Sequence, residues 1–147
     1  MSKWTKRFME RAALIATWSK DPSTQCGAII VDDNNHVISE GYNGFPRGVA
    51  DTQARYVDRT VKLKMVLHAE LNAILSVDDR SRLNGATIYV HPMPPCGQCA
   101  AAIVQVGIKR VITIKPTPEQ IERWVDDFTT MENMFQEASV DLVYVAA

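Results

Sequence analysis

No run of apolar residues in this 147-residue chain exceeds about six, as in Cys99 to Val104, against the ~20 that a membrane-spanning helix needs. A helix crossing a bilayer is therefore excluded. There is no excess of one charge either. The 16 Lys and Arg face 17 Asp and Glu, so a protein that grips nucleic acid through a bulk basic surface is not expected. The first ten residues, MSKWTKRFME, lack the 7 to 15 residue apolar core of a secretory signal, which leads to the expectation of a reducing, cytoplasmic setting. Cysteine is scarce and odd in number. Three residues, Cys26, Cys96 and Cys99, do not make a closed disulfide framework and must be explained by packing, redox chemistry or metal. Repeats, linkers and low-complexity tracts are absent, and the length suits one domain spanning 1–147.

What is present is periodicity. Trp4, Phe8, Ala12, Ile15 and Ala16 recur at steps of three and four, predicting an amphipathic helix from Lys3 to about Trp18. Asp21-Pro22 stops it, and Cys26–Val31 reads as a buried strand. The turn cluster 32–35 then leads into a second strand over 36–42, which predicts a hairpin. Residues 43 to 66 show no sustained period, and a stretch this long inside a compact domain is expected to be functional or partly helical. After it, HAELNAIL reads as helix, GATIYVH as strand, CGQCAAAIVQVG as helix and KRVITI as strand. Pro118 suits a first helical position, and Ile121, Trp124, Val125 and Phe128 predict one helix to about Ala138 before a closing strand, DLVYV. The expected architecture is α/β, a three-layer α-β-α sandwich around a central five-stranded mixed sheet.

The residues that carry chemistry are His68-Ala69-Glu70 and, 28 positions after His68, Pro95-Cys96-Gly97-Gln98-Cys99. Cys96 and Cys99, at i and i+3, share one helix face, so both sulfurs reach one ion, and His68 supplies a third ligand. Pro94-Pro95 ahead of them places the cysteines at a helix start, where the positive end of the dipole favours thiolate. Three protein ligands leave a fourth position for water, as in a catalytic rather than a closed zinc site. Glu70 is then the candidate proton carrier. Residues two apart on a helix point ~200° away from each other, so His68 and Glu70 serve one site only if a helix begins at this pair. Taken alone, C-x-x-C also suits a redox pair or half of a structural zinc site, with Cys26, His36 or His91 as possible fourth ligands. The ordered H-x-E and P-C-x-x-C combination favours a zinc-dependent deaminase.

Four blocks, SKDPSTQCGAIIV, GYNGFPRGVAD, HAELNAIL and PPCGQCAAAIVQVGIKRVI, resemble in order those of the deoxycytidylate (dCMP) deaminases, over about Ser19 to Ile112. The resemblance implies a cytidine deaminase-like fold and hydrolysis of dCMP to dUMP and ammonia for thymidylate synthesis. It implies one Zn2+ held by His68, Cys96 and Cys99, with Glu70 as catalytic proton shuttle. It also implies nucleotide contacts from Asn43, the backbone of Ala69, and Pro95. Lys20, Ser23 and Thr24 are expected as the anion site for the monophosphate. Gly44 and Arg47 are expected near a site for the effectors dCTP and dTTP, in a homo-oligomer, commonly a hexamer. Val49 stands where some relatives carry a Cys for a second zinc, so one ion is expected. The alternatives kept open are a deaminase of a nucleoside, a base or tRNA adenosine, and a non-enzymatic, zinc-stapled interaction module. Cys26 is read as a small core hydrophobe.

Overall fold

The structure is a computed structural model that describes all residues, 1–147. The chain begins with α1 (Lys3–Ala16), capped by the Ser2 side chain accepting the Thr5 N–H. A hairpin of β1 (Gly27–Val31) and β2 (Val37–Tyr42) follows. The 43–66 segment folds into two short helices, α2 (Gln53–Val57) and α3 (Arg59–Met65), each started by a side-chain cap, Thr52 and Asp58. Then come α4 (Ala69–Leu75), β3 (Thr87–His91), α5 (Gly97–Gln105) and β4 (Arg110–Ile114). The last elements are α6 (Pro118–Arg123), α7 (Val125–Glu137) and β5 (Asp141–Val145). The single helix expected over 118–138 is two helices, because Trp124, at φ −124° and ψ 34°, leaves the helical region and breaks the run.

The five strands lie in the order β2-β1-β3-β4-β5. β1 pairs antiparallel with both β2 and β3, and β3, β4 and β5 run parallel. The sheet is thus mixed, as expected. The two-residue side-chain period sorts the core into two layers. Ala28, Ile30, Ile88, Val90 and Val111 face the side covered by α4, α5 and α7, where Ile103, Met131 and Phe135 pack on them. Ile29, Val31, Tyr89 and Ile112 face α1 and meet Phe8, Ala12 and Ile15. Full burial of each such large side chain contributes ~1.5–3 kcal/mol, so both helix layers are held by the sheet rather than by their own propensity.

Two contacts set the position of the elements that bear chemistry. Gly41 on β2 lies so close under α4 that a Cβ there would stand 2.5 Å from the Ala73 nitrogen and 2.7 Å from the Ala69 carbonyl oxygen. Only glycine allows that approach, and it fixes the start of α4 against the sheet. The second is the turn after β3. β3 and β4 run parallel through the α5 crossover, so the chain leaves the carboxyl end of β3 and enters the first turn of α5, at the sheet edge where open α/β folds form crevices. No helix is long and apolar enough to cross a membrane.

Candidate functional site

α4 begins where the H-x-E spacing requires. His68 is its N-cap, in extended conformation at φ −70° and ψ 156°, Ala69 is its first residue and Glu70 its second. Placing the histidine just outside the helix removes the angular conflict between the two side chains, and both line one cavity of about 360 Å³. Cys96 is the N-cap of α5, and its sulfur accepts the Cys99 N–H at 3.5 Å. The His68 Nδ1 lies 3.3 Å from the Cys96 sulfur and 3.4 Å from the Cys99 sulfur, and the three ligand atoms all fall within 4.8 Å of one another. Two soft sulfurs and one imidazole nitrogen gathered at that spacing fit a single zinc ion.

The electrostatics prepare the same cluster. The Cys96 thiol is pulled down to about 4, first because the Cys99 thiol donates to it and then because His68 does, against the cost of burial. The Cys99 thiol moves up, since its proton is held by Cys96 and its site is desolvated. The pair therefore favours the thiolate form at Cys96. His68 rises through its bond to Cys96. Glu70 is 5% exposed, and desolvation pushes its carboxyl up to about 7, partly offset by its own backbone N–H and by His68. A carboxyl poised near neutrality can both take and return a proton.

The other expected site residues are distributed unevenly. Asn43 and Thr24 line the cavity. Asn43 is 6% exposed, its Oδ1 accepts the Cys26 N–H at 2.8 Å and its Nδ2 donates to the Thr24 carbonyl at 2.9 Å, so it ties the 19–26 segment to the cavity wall. Ala69 and Pro95 are buried beside the cluster without lining the cavity. Lys20 and Ser23 stand away from the wall, and the Lys20 ammonium pairs with Asp51 at 2.8 Å. Gly44 and Arg47 line a different, larger cavity of about 640 Å³ together with Tyr42, Phe45 and Asn72.

Residues outside the expected substrate contacts complete the wall. Cys26 packs against the core, yet it also faces the cavity, where burial and the Glu70 charge raise its thiol to about 12. It is a neutral wall residue rather than a core hydrophobe alone. Arg59, Lys62, Leu63 and Val66 come from the 59–66 stretch at positions i, i+3, i+4 and i+7, a helical signal too short to register against the loop around it. Trp124, Asp127 and Phe128 come from the α6–α7 break. Asp127 Oδ1 accepts the Gly97 N–H at 2.9 Å, and this bond links α7 to the first turn of the helix that bears both cysteines.

Comparison with known proteins agrees with this geometry. Residues 2–115 match the family model described as the cytidine and deoxycytidylate deaminase zinc-binding region. The chain is 41% identical over 145 residues to an uncharacterized deaminase from the luxG 3′ region of Aliivibrio fischeri, covering 99% of this chain and 95% of that one. It is 41% identical over 116 residues to the deoxycytidylate deaminase of Homo sapiens, covering 75% of this chain but 64% of the human protein. Among solved structures, the dCMP deaminase of cyanophage S-TIM5 in complex with dCMP and dUMP shares the fold at a TM-score of 0.74 and 23% identity, with 99% of both chains covered.

Proposed function

This chain belongs to the cytidine and deoxycytidylate deaminase family, and from that premise we propose that it hydrolyses dCMP to dUMP and ammonia. The observation that carries the reading is the buried carboxyl of Glu70 on the same cavity wall as His68 and Cys96. His68, Cys96 and Cys99 hold one Zn2+, which supplies a Lewis acid when bound. Glu70 takes a proton from the water that attacks C4 of the pyrimidine and delivers it to N3; it then moves the proton of the new C4 hydroxyl to the amino group, so that the C4–N bond breaks, ammonia leaves and the C4 carbonyl forms. Asn43 contacts the nucleotide while keeping Thr24 in place, and Ala69 and Pro95, which do not line the cavity, act by placing Glu70 and Cys96 beside them. Cys26, Val90, Phe128 and Trp124 supply apolar wall that excludes bulk water around Glu70.

Residues 1–147 act as one catalytic domain in the cytoplasm, where the ligand thiols stay reduced. The cavity that includes Gly44 and Arg47 is the place for the effectors dCTP and dTTP, the arginine pairing with phosphate. Self-association into a homo-oligomer, a hexamer by preference, is supported by the apolar face left open by Leu14 and Trp18, 57% and 56% exposed.

Ammonia release from zinc-loaded protein, measured with dCMP, CMP, deoxycytidine, cytosine and an adenosine-bearing tRNA, tests the substrate. dCMP is expected to be turned over best. Turnover of another member of the panel with dCMP untouched overturns the assignment.

A further inference from the structure

One face of α3 forms part of the catalytic cavity, and its two cations there are in different states. Lys62 Nζ lies 2.9 Å from Asp21 Oδ1 and 2.8 Å from Asp21 Oδ2, and the Asp21 side chain is 2% exposed. The charge of Lys62 is therefore neutralised inside the protein. Asp21 Oδ1 also accepts the Ser23 N–H at 2.8 Å, so the pair is a strut between α3 and the 19–24 segment. Arg59 stands one turn earlier on the same face, exposed at the cavity, and takes part in no ion pair. Lys20, the other basic residue near this segment, is occupied by Asp51 and lies off the wall. Arg59 is the one cation of the cavity whose charge is not already balanced.

Glu70 is buried and Arg59 is exposed on the wall of the same cavity, so with the ring at Glu70 the charged 5′ end of a nucleotide is expected on the exposed side, where Arg59 stands. A 5′-phosphate there carries nearly two negative charges, and a guanidinium meets it with two parallel N–H donors where an ammonium acts as a point charge. We propose that Arg59 reads the 5′-phosphate of the substrate and so separates nucleotide from nucleoside, with the Lys62–Asp21 strut holding α3 at the right distance. The inference rests on the nucleotide deaminase reading and names the residue that gives it specificity.

The test is the ratio of kcat/KM for dCMP to kcat/KM for deoxycytidine in the zinc-loaded enzyme and in R59Q, R59K and K20Q. Loss of a charge-assisted, phosphate-directed contact is expected to lower the ratio about 10- to 100-fold in R59Q. R59K keeps the charge and should fall between R59Q and the parent, while K20Q should keep the parent ratio. A folding defect lowers both substrates alike and leaves the ratio unmoved, so an unmoved ratio in R59Q overturns the proposal, as does a fall in K20Q alone. If the parent turns over neither substrate, the dCMP reading itself has failed. Calorimetric binding of dUMP and deoxyuridine then decides on Arg59 separately: selective loss of dUMP binding in R59Q supports it, and equal binding by parent and R59Q overturns it.

Discussion

Glu70 and the ligand cysteines have opposite electrostatic tasks a few ångströms apart. Burial favours the neutral form of Glu70, whereas Cys96 is drawn into its charged form by two donors. Replacing Glu70 by Ala should leave zinc content near one per chain and lower kcat by at least ~10², the scale of general acid and base catalysis. Metal analysis and ammonia release on the same sample check this, and full activity would remove Glu70 from the mechanism. The raised pKa also has a stability consequence. A carboxyl shifted from 4.5 to about 7 by burial holds its proton in the folded state after the unfolded chain has released it. Its stabilising contribution is complete below 4.5 and is lost as pH rises toward 7. In metal-free protein, urea unfolding across that window should fall by a few kcal/mol more steeply with pH in the parent than in Glu70→Gln. Parallel slopes would contradict a carboxyl that burial holds in its protonated form. At this scale the sequence was informative for His68, Glu70, Cys96 and Cys99, whose spacing states the chemistry. It was not informative for Cys26, whose neighbours in the sequence describe only a buried strand.

At the scale of elements, the site depends on two helix starts being held at a fixed separation. Gly41 seats α4 and Asp127 clasps α5. Asp127→Ala leaves the Gly97 N–H without its acceptor and frees the first turn of α5, so zinc affinity in a chelator competition should drop ~10- to 100-fold, as it does when groups supporting metal ligands are removed. An unchanged affinity would mean that α5 is positioned by packing alone. The angular offset between His68 and Glu70 placed a helix start at about that pair, where His68 is the N-cap of α4, and periodicity read the first helix and the strands. It failed on 118–138, where apolar spacing continues through Trp124 although the backbone turns there to bring Trp124 and Asp127 to the cavity. It was also silent on α3, whose 7 residues leave too few turns for a pattern. Both gaps concern side chains brought to the cavity by tertiary packing, which local spacing does not encode.

For the whole molecule, the near-zero net charge takes on a specific meaning. Positive charge on the surface is matched by a near-equal number of acidic residues, and it reaches the catalytic cavity at two points, one of them neutralised by Asp21. Such a surface suits a small anionic substrate better than a nucleic-acid polymer. The exposed Leu14 and Trp18 predict self-association, so light scattering at micromolar protein should report a mass well above 16.4 kDa. A monomer with full activity would contradict an oligomeric enzyme. A deaminase built on His68, Cys96 and Cys99 requires zinc to act in turnover rather than as a structural staple. The most direct measurement is ammonia release from dCMP by zinc-loaded, chelator-stripped and zinc-restored protein, with circular dichroism recorded on each. The prediction is that stripping abolishes release while the sheet and helices persist, and that one equivalent of Zn2+ restores it. Release that survives stripping, or a chain that unfolds on stripping and never deaminates dCMP when restored, would contradict it.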